Sequence, residues 1–305
     1  MCNPVPVLCS CALARAPHNS SIAEKIVFTS NRIRLRRAMQ MLLTLLILYV
    51  LLALFVMLVQ RRLIYLPTKL SAEMASQMAQ QEGFQPWRNQ SGELIGWHLP
   101  AESSPSGSVL IVHGNAGSAL NRGYLARPIH GAAALDVFVL EYPGYGARTG
   151  APGLPGFLSA AEVAFASLPT NLPVYLVAES IGSGVAAHLA KMHGERVAGL
   201  IFFAPYDDLA HVGQKQMPFL PVKLLLRDRF RPAEWLKDYR GPTKIVLAEA
   251  DTIIPMKFGR KLYDGYAGPK IVEVIAGAGH NDIAAQEIGW WRAVFAFWQK
   301  ERQRH

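Results

Sequence analysis

Hydrophobic positions divide the chain near residue 40. Before that point no sustained periodicity appears, and the segment reads as an unstructured tail over residues 1–40. From Met41 to Val59 runs MLLTLLILYVLLALFVMLV, 19 residues without a charge. At a rise of about 1.5 Å per residue, this stretch roughly spans a ~30 Å hydrocarbon core. It has no polar stripe, so it does not fit the half-buried helix of a soluble core. It is also longer than the ~7–15-residue apolar region of a signal peptide, and no small-x-small cleavage site follows it. The pattern predicts one uncleaved transmembrane helix over 41–60.

Beyond the anchor the pattern changes to short apolar runs alternating with helical periods. A linker rich in Gln, Ser and Met leads to ELIGWHL, a short strand. SVLIVHG (108–114), DVFVLEYPGYG (136–146), LPVYLVAES (172–180), VAGLIFFAP (197–205), PTKIVLAEA (242–250) and KIVEVIAG (270–277) read as further strands. Helical patterns follow most of them: one reaching about Ala134, then SGVAAHLAKMHG, KFGRKLYDGY and a closing DIAAQEIGWWRAVFAFWQK. Continuously apolar strands alternating with helices predict an α/β fold with a mostly parallel central sheet and helices on both faces. There is no internal repeat. One domain is expected over 62–305, with an irregular excursion, a small cap, near 206–241.

Charge alters the picture only at the N-terminus. The formal charge is +9, but Arg15, Lys25, Arg32, Arg34, Arg36 and Arg37 stand against Glu24 alone in the first 40 residues. The larger part shows no basic run interleaved with aromatics, which argues against a nucleic-acid partner. If translation begins at Met39 or Met41, the basic tail is absent. If it begins at Met1, the tail outweighs Arg61, Arg62 and Lys69, and the positive-inside bias predicts that the large domain lies on the exported side. A reporter active only after export, fused to the C-terminus, should be active; an active cytoplasm-only reporter there reverses the orientation. Cys2, Cys9 and Cys11 are the only cysteines. The folded part therefore has no disulfide framework, no thiol nucleophile and no Cys-based metal site.

Ligands of open α/β sheets bind at the carboxyl ends of the strands, and the chemistry-bearing residues fall there. Ser180 in VYLVAESIGSG ends a strand and opens a helix, where a hydroxyl is exposed above a helix N-terminus; a plain N-cap has the same placement. The usual elbow pattern has Gly two residues before the serine, and here stands Ala178. One methyl on the strand side is tolerable because a strand residue needs no positive φ, while Gly182 and Gly184 give clearance on the helix side. His280 in GAGHND follows the last strand, placed to act as a base. Asp251, ending IVLAEAD, can hold the imidazole; it can also serve as a turn aspartate before TIIP. Asp207 and Asp208 are alternative acids one strand earlier. VHGNAG can turn backbone N–H groups inward, so the amides of Asn115 and Ile181 are the expected oxyanion donors.

HGNAG, YPGYG, the serine elbow, D…IP and GHND, in the order Ser…Asp…His, together resemble the α/β-hydrolase superfamily, and within it the small single-pass hydrolases. The resemblance covers roughly Arg62 to Lys300. It implies an α/β-hydrolase fold with Ser180 as nucleophile, Asp251 as acid and His280 as base, acting on esters or lipid acyl groups through an acyl-enzyme. A peptidase or amidase would use the same triad, and a non-catalytic binding protein of the same fold is the remaining alternative. Acyl transfer by such a triad requires no cofactor and no metal. The excursion QKQMPFLPVKLLLRDRF (214–230) reads either as a cap over the site or as a basic amphipathic patch touching anionic lipid. Adjacent Trp290 and Trp291 read as packing.

Overall fold

The computed structural model describes residue 1 and residues 20–304. Cys2, Cys9, Cys11 and Arg15 lie outside the described residues. The chain divides into two compact units, Met1–Phe55 and Val56–His305.

In the first unit the described residues other than Met1 belong to helix α1 (Ser20–Ile64), whose last turns belong to the second unit. The helix thus begins about 20 residues earlier than the apolar run, and residues 20–40 are helical where the sequence reading expects disorder. Ala, Met, Arg, Lys and Glu among them are good helix formers, so the nucleated apolar helix extends backwards through them. From Leu42 to Leu54 the large apolar side chains are exposed along the helix. Val27–Ile64 is long and apolar enough to be a candidate membrane span.

The second unit is built on an eight-stranded sheet. In chain order the strands and helices are β1 (Leu66–Pro67), α2 (Ala72–Glu82), β2 (Gln85–Arg88), β3 (Leu94–Leu99), β4 (Ser108–Val112), β5 (Ala116–Gly117), α3 (Gly123–Ala132), β6 (Asp136–Leu140), α4 (Leu154–Ala166), β7 (Val174–Glu179), α5 (Gly182–His193), β8 (Val197–Phe203), α6 (Leu209–Gln216), α7 (Val222–Leu225), α8 (Pro232–Trp235), β9 (Thr243–Ala248), α9 (Met256–Gly265), β10 (Lys270–Ile275) and α10 (Ile288–Arg302). The sheet order is β10-β9-β8-β7-β4-β6-β3-β2, parallel from β10 to β6, with β3 and β2 joined antiparallel at one edge. β1 and β5 form a separate parallel pair.

Both faces of the central strands are apolar, as a sheet covered twice requires. On β7, Val174, Leu176 and Ala178 face one core, shared with Phe157, Val185 and Phe230. Tyr175 and Val177 face the other, shared with Leu125, Ile129, Trp291 and Trp298. Trp291 is buried, whereas Trp290 covers Lys244 and bonds Glu273, so the pair packs on two different surfaces. The excursion after β8 forms α6, α7 and α8, a cap of short helices. Several elements depart from the sequence pattern: β1, β2 and β5 are short strands where the pattern predicts none, α2 and α4 fall in stretches without a predicted helix, and the closing helix begins at Ile288 rather than near Asp282.

Candidate active site

The turn after β7 places Ser180 in a backbone conformation that L-residues seldom adopt, with φ of 50°. Holding a non-glycine residue there costs on the order of 1–3 kcal/mol, which the surroundings must offset. They do so by fixing both sides of the residue. The Ser180 N–H donates to Phe203 O at 2.9 Å, and its carbonyl accepts from Ser183 N at 2.9 Å as α5 begins. The glycines after it are required by close backbone approach. A Cβ on Gly182 would lie 2.2 Å from Val112 O, and one on Gly184 2.5 Å from Phe230. Ala178, by contrast, sits within β7, paired with Val112 and Phe202, and its methyl is buried without strain.

Asp251 and His280 come together after β9 and β10. The His280 Nδ1 lies 2.7 Å from Asp251 Oδ2. The other carboxylate oxygen accepts the N–H groups of Ile253 and Ile254, each at 2.8 Å. Asp251 therefore serves both the turn and the imidazole, one oxygen for each. An ionised carboxylate accepts only, so Nδ1 carries the proton and Nε2 keeps its lone pair for a base's work. The alternative acids are committed elsewhere. Asp207 contacts His211 at 2.7 Å and Lys261 at 2.6 Å, and Asp208 caps α6 through Ala210 N at 2.7 Å. No hydrogen bond joins Ser180 to His280 among the described residues; such bonds commonly tighten only when substrate binds.

The loop after β4 lies against the serine: a Cβ on Gly114 would sit 3.5 Å from the Ser180 Cβ. Among the described residues, neither the Asn115 N–H nor the Ile181 N–H has a hydrogen-bond partner. The carbonyl and the side-chain NH₂ of Asn115 are engaged. Its carbonyl accepts Leu66 N at 2.9 Å and the Tyr145 hydroxyl at 2.8 Å, and its Nδ2 donates to Ile64 O at 2.7 Å. Beneath the loop His113 is fully buried against Tyr142, and loss of hydration holds its pKa below the usual value.

Sequence reasoning did not find the groups that brace this arrangement. Glu179, beside the serine, is held by Arg122 Nε at 2.9 Å and by the Tyr124 hydroxyl. Asp228 in the cap accepts Arg61 twice, at 2.8 Å each, and the Tyr65 hydroxyl at 2.9 Å. Nothing in the sequence pattern singles out Asp228 or names its partner. Among the described residues no His, Cys, Asp or Glu cluster could hold a metal ion.

The family described as "Serine aminopeptidase, S33" matches residues 103–236, a stretch that contains Ser180. An uncharacterized protein of Mycobacterium tuberculosis is 33% identical over 232 residues, covering 73% of this chain and 81% of that protein. The chain belongs to the α/β-hydrolase superfamily. As a member it is a hydrolase. Lysophosphatidylserine lipase ABHD12 of Danio rerio is 27% identical over 202 residues, 58% of this chain, and the chain spans about half (52%) of that lipase. Among solved α/β-hydrolase structures, Est1E of Butyrivibrio proteoclasticus with ferulic acid bound has a TM-score of 0.56 at 16% identity, covering 68% of this chain and 95% of that one. A monoacylglycerol lipase of Paleococcus ferrophilus has a TM-score of 0.52 at 18% identity, covering 68% of this chain and all (100%) of that one. At those identities the likeness is one of fold.

Proposed function

We propose that this chain is a membrane-anchored serine hydrolase that cleaves carboxylic esters, lipid acyl esters among them. The observation that carries the reading is the strained Ser180 at the tip of β7, with an Asp251-bound His280 on the loops two and three strands away. In the proposed reaction, His280 Nε2 takes the Ser180 hydroxyl proton as the oxygen attacks the ester carbonyl. The N–H groups of Asn115 and Ile181 then receive the oxyanion. The imidazolium returns its proton to the departing alcohol, leaving an acyl-enzyme. Water, deprotonated by the same imidazole, cleaves that intermediate and restores the serine.

Two lines of support favour esters over amides. The relative named above from Danio rerio is a lysophosphatidylserine lipase. The chain also carries a candidate membrane span directly before the hydrolase unit. The serine aminopeptidase description of the family match favours the second reading, hydrolysis of an amide by the same residues. A panel of paired chromogenic esters and anilides separates the two. Ester hydrolysis exceeding anilide hydrolysis by orders of magnitude is expected; comparable or preferred anilide cleavage makes the chain a peptidase or amidase.

A further inference from the structure

The residues that follow α1 lie against the loop after β4, and most of the contact is backbone. Leu66–Pro67 and Ala116–Gly117 run parallel, with Leu66 opposite Ala116 and Pro67 opposite Gly117. The Leu66 N–H donates to Asn115 O at 2.9 Å, and the Thr68 N–H donates to Gly117 O at 2.8 Å. On the near side, Asn115 Nδ2 donates to Ile64 O at 2.7 Å. The two donating amides stand two residues apart, as the ladder of a parallel pair requires. Between them is Pro67, which has no N–H to offer and whose ring fixes its own φ.

The loop has little stiffness of its own. Gly114 and Gly117 bracket it, and Gly117 holds a φ of 83° that favours glycine. At its far end Glu141 Oε1 accepts the Ala119 N–H at 3.0 Å. At its near end the hold on Asn115 comes from the segment after α1 and from Tyr145, whose hydroxyl donates to Asn115 O at 2.8 Å. The segment is itself clamped. Tyr65 is buried, its ring centroid 5.1 Å from that of Phe157 and its hydroxyl donating to Asp228 at 2.9 Å. The Gly146 N–H donates to Thr68 O, and the Leu70 N–H to Gly146 O, both at 2.9 Å. Leu66 is 54% exposed, so burial of its side chain does not account for the pairing. What the pairing does is fix Asn115. With its carbonyl and its side chain both held, the residue has little freedom to turn its N–H away.

We propose that Ile64–Thr68 is a positioning segment of the active site, holding the Asn115 N–H where the oxyanion forms; the inference rests on the hydrolase reading above. The segment touches no substrate and acts through Asn115. Displacing a catalytic group by about 1 Å can cost on the order of 10²-fold, so three hydrogen bonds far from the triad in sequence govern the rate.

The test uses the full chain in detergent micelles. Two variants release Asn115 from different sides and keep its backbone N–H. Asn115→Ala removes the donor to Ile64 O, and Leu66→Pro removes the N–H that donates to Asn115 O. Each should lower kcat for a chromogenic ester by about 10²–10³-fold, the scale of one lost oxyanion donor. KM should stay within about threefold, because the loss falls on the transition state. A spectroscopic reading isolates the oxyanion hole. In an acyl-enzyme made from a hindered trimethylacetyl ester, the infrared carbonyl stretch should lie at higher wavenumber in both variants, since a carbonyl that loses a donor stiffens. A thermal melt reports whether Leu66→Pro folds; where it does not, Asn115→Ala decides alone. Unchanged kcat in the folded variants, or a fall in kcat with the carbonyl stretch unmoved, overturns the positioning role. Continued fluorophosphonate labelling of Ser180 then leaves the hydrolase reading intact. Absence of both ester turnover and labelling in the unsubstituted chain strikes the hydrolase reading itself.

Discussion

Ser180→Ala should abolish turnover, lowering kcat by as much as roughly 10⁶-fold, the scale of a lost triad nucleophile. The fold should survive, because the substitution deletes one oxygen and leaves the backbone bonds to Phe203 and Ser183 in place. Alanine also tolerates the left-handed conformation no worse than serine, so a thermal melt should change little. The loss should appear in kcat with KM nearly unaltered, since the hydroxyl reacts with the carbonyl but contributes little to holding the substrate. Steady-state kinetics on a chromogenic ester, paired with the melt, check both halves. Retention of more than a few per cent of the activity removes Ser180 from the mechanism.

Asp251→Asn should cost about 10⁴ in kcat, and here the reason is specific. Two backbone donors, Ile253 N and Ile254 N, occupy one oxygen of the carboxylate. An asparagine must turn its carbonyl oxygen to them, because its NH₂ group cannot accept. The NH₂ then faces His280 Nδ1 and requires that nitrogen to accept. The proton moves to Nε2, where a base needs a lone pair. The turn stays bonded, so stability should change little while turnover collapses. Asp207→Asn and Asp208→Asn serve as comparisons, since one carboxylate is bonded to His211 and Lys261 and the other caps α6. If Asp251→Asn keeps near-normal activity while a change at Asp207 or Asp208 abolishes it, the acid belongs to the strand before.

Much of the architecture was legible because each buried strand announces itself twice, by a continuous apolar run and by the turn residues that end it. The helices that escaped notice lack a strong apolar stripe. In α2 only Ala75 and Ala79 are buried, so periodicity is weak, and the helix is marked by its caps. Ser71 accepts from Met74 N at the start, and Gly83 adopts φ of 78° at the end. In α4 the buried residues are mostly alanines beside Phe157 and Phe165, following Pro155 in the first turn. The closing helix starts later than its pattern suggests because Asp282 is drawn into the His280 loop, accepting Gly279 N at 2.9 Å.

The residues of the candidate site were legible for a different reason. Ser180, Asp251 and His280 each follow a strand, and the topology of a parallel sheet brings strand ends together. Even Asp251's two competing sequence readings, turn and imidazole partner, prove compatible at two oxygens of one carboxylate. What no local pattern could reveal is the bracing. Asn115 meets Ile64 across 51 positions, and Asp228 meets Arg61 across 167. Those contacts depend on where the fold returns the end of α1, and single-residue propensities carry no trace of them.

The account turns on Ser180 being an activated nucleophile, and active-site labelling measures that directly. The full-length chain, treated with a fluorophosphonate and digested, should carry one covalent adduct, on the peptide containing Ser180. Labelling should be lost in Ser180→Ala and slowed strongly in Asp251→Asn. An adduct on a different serine, or equal labelling of the Ser180→Ala protein, would contradict it.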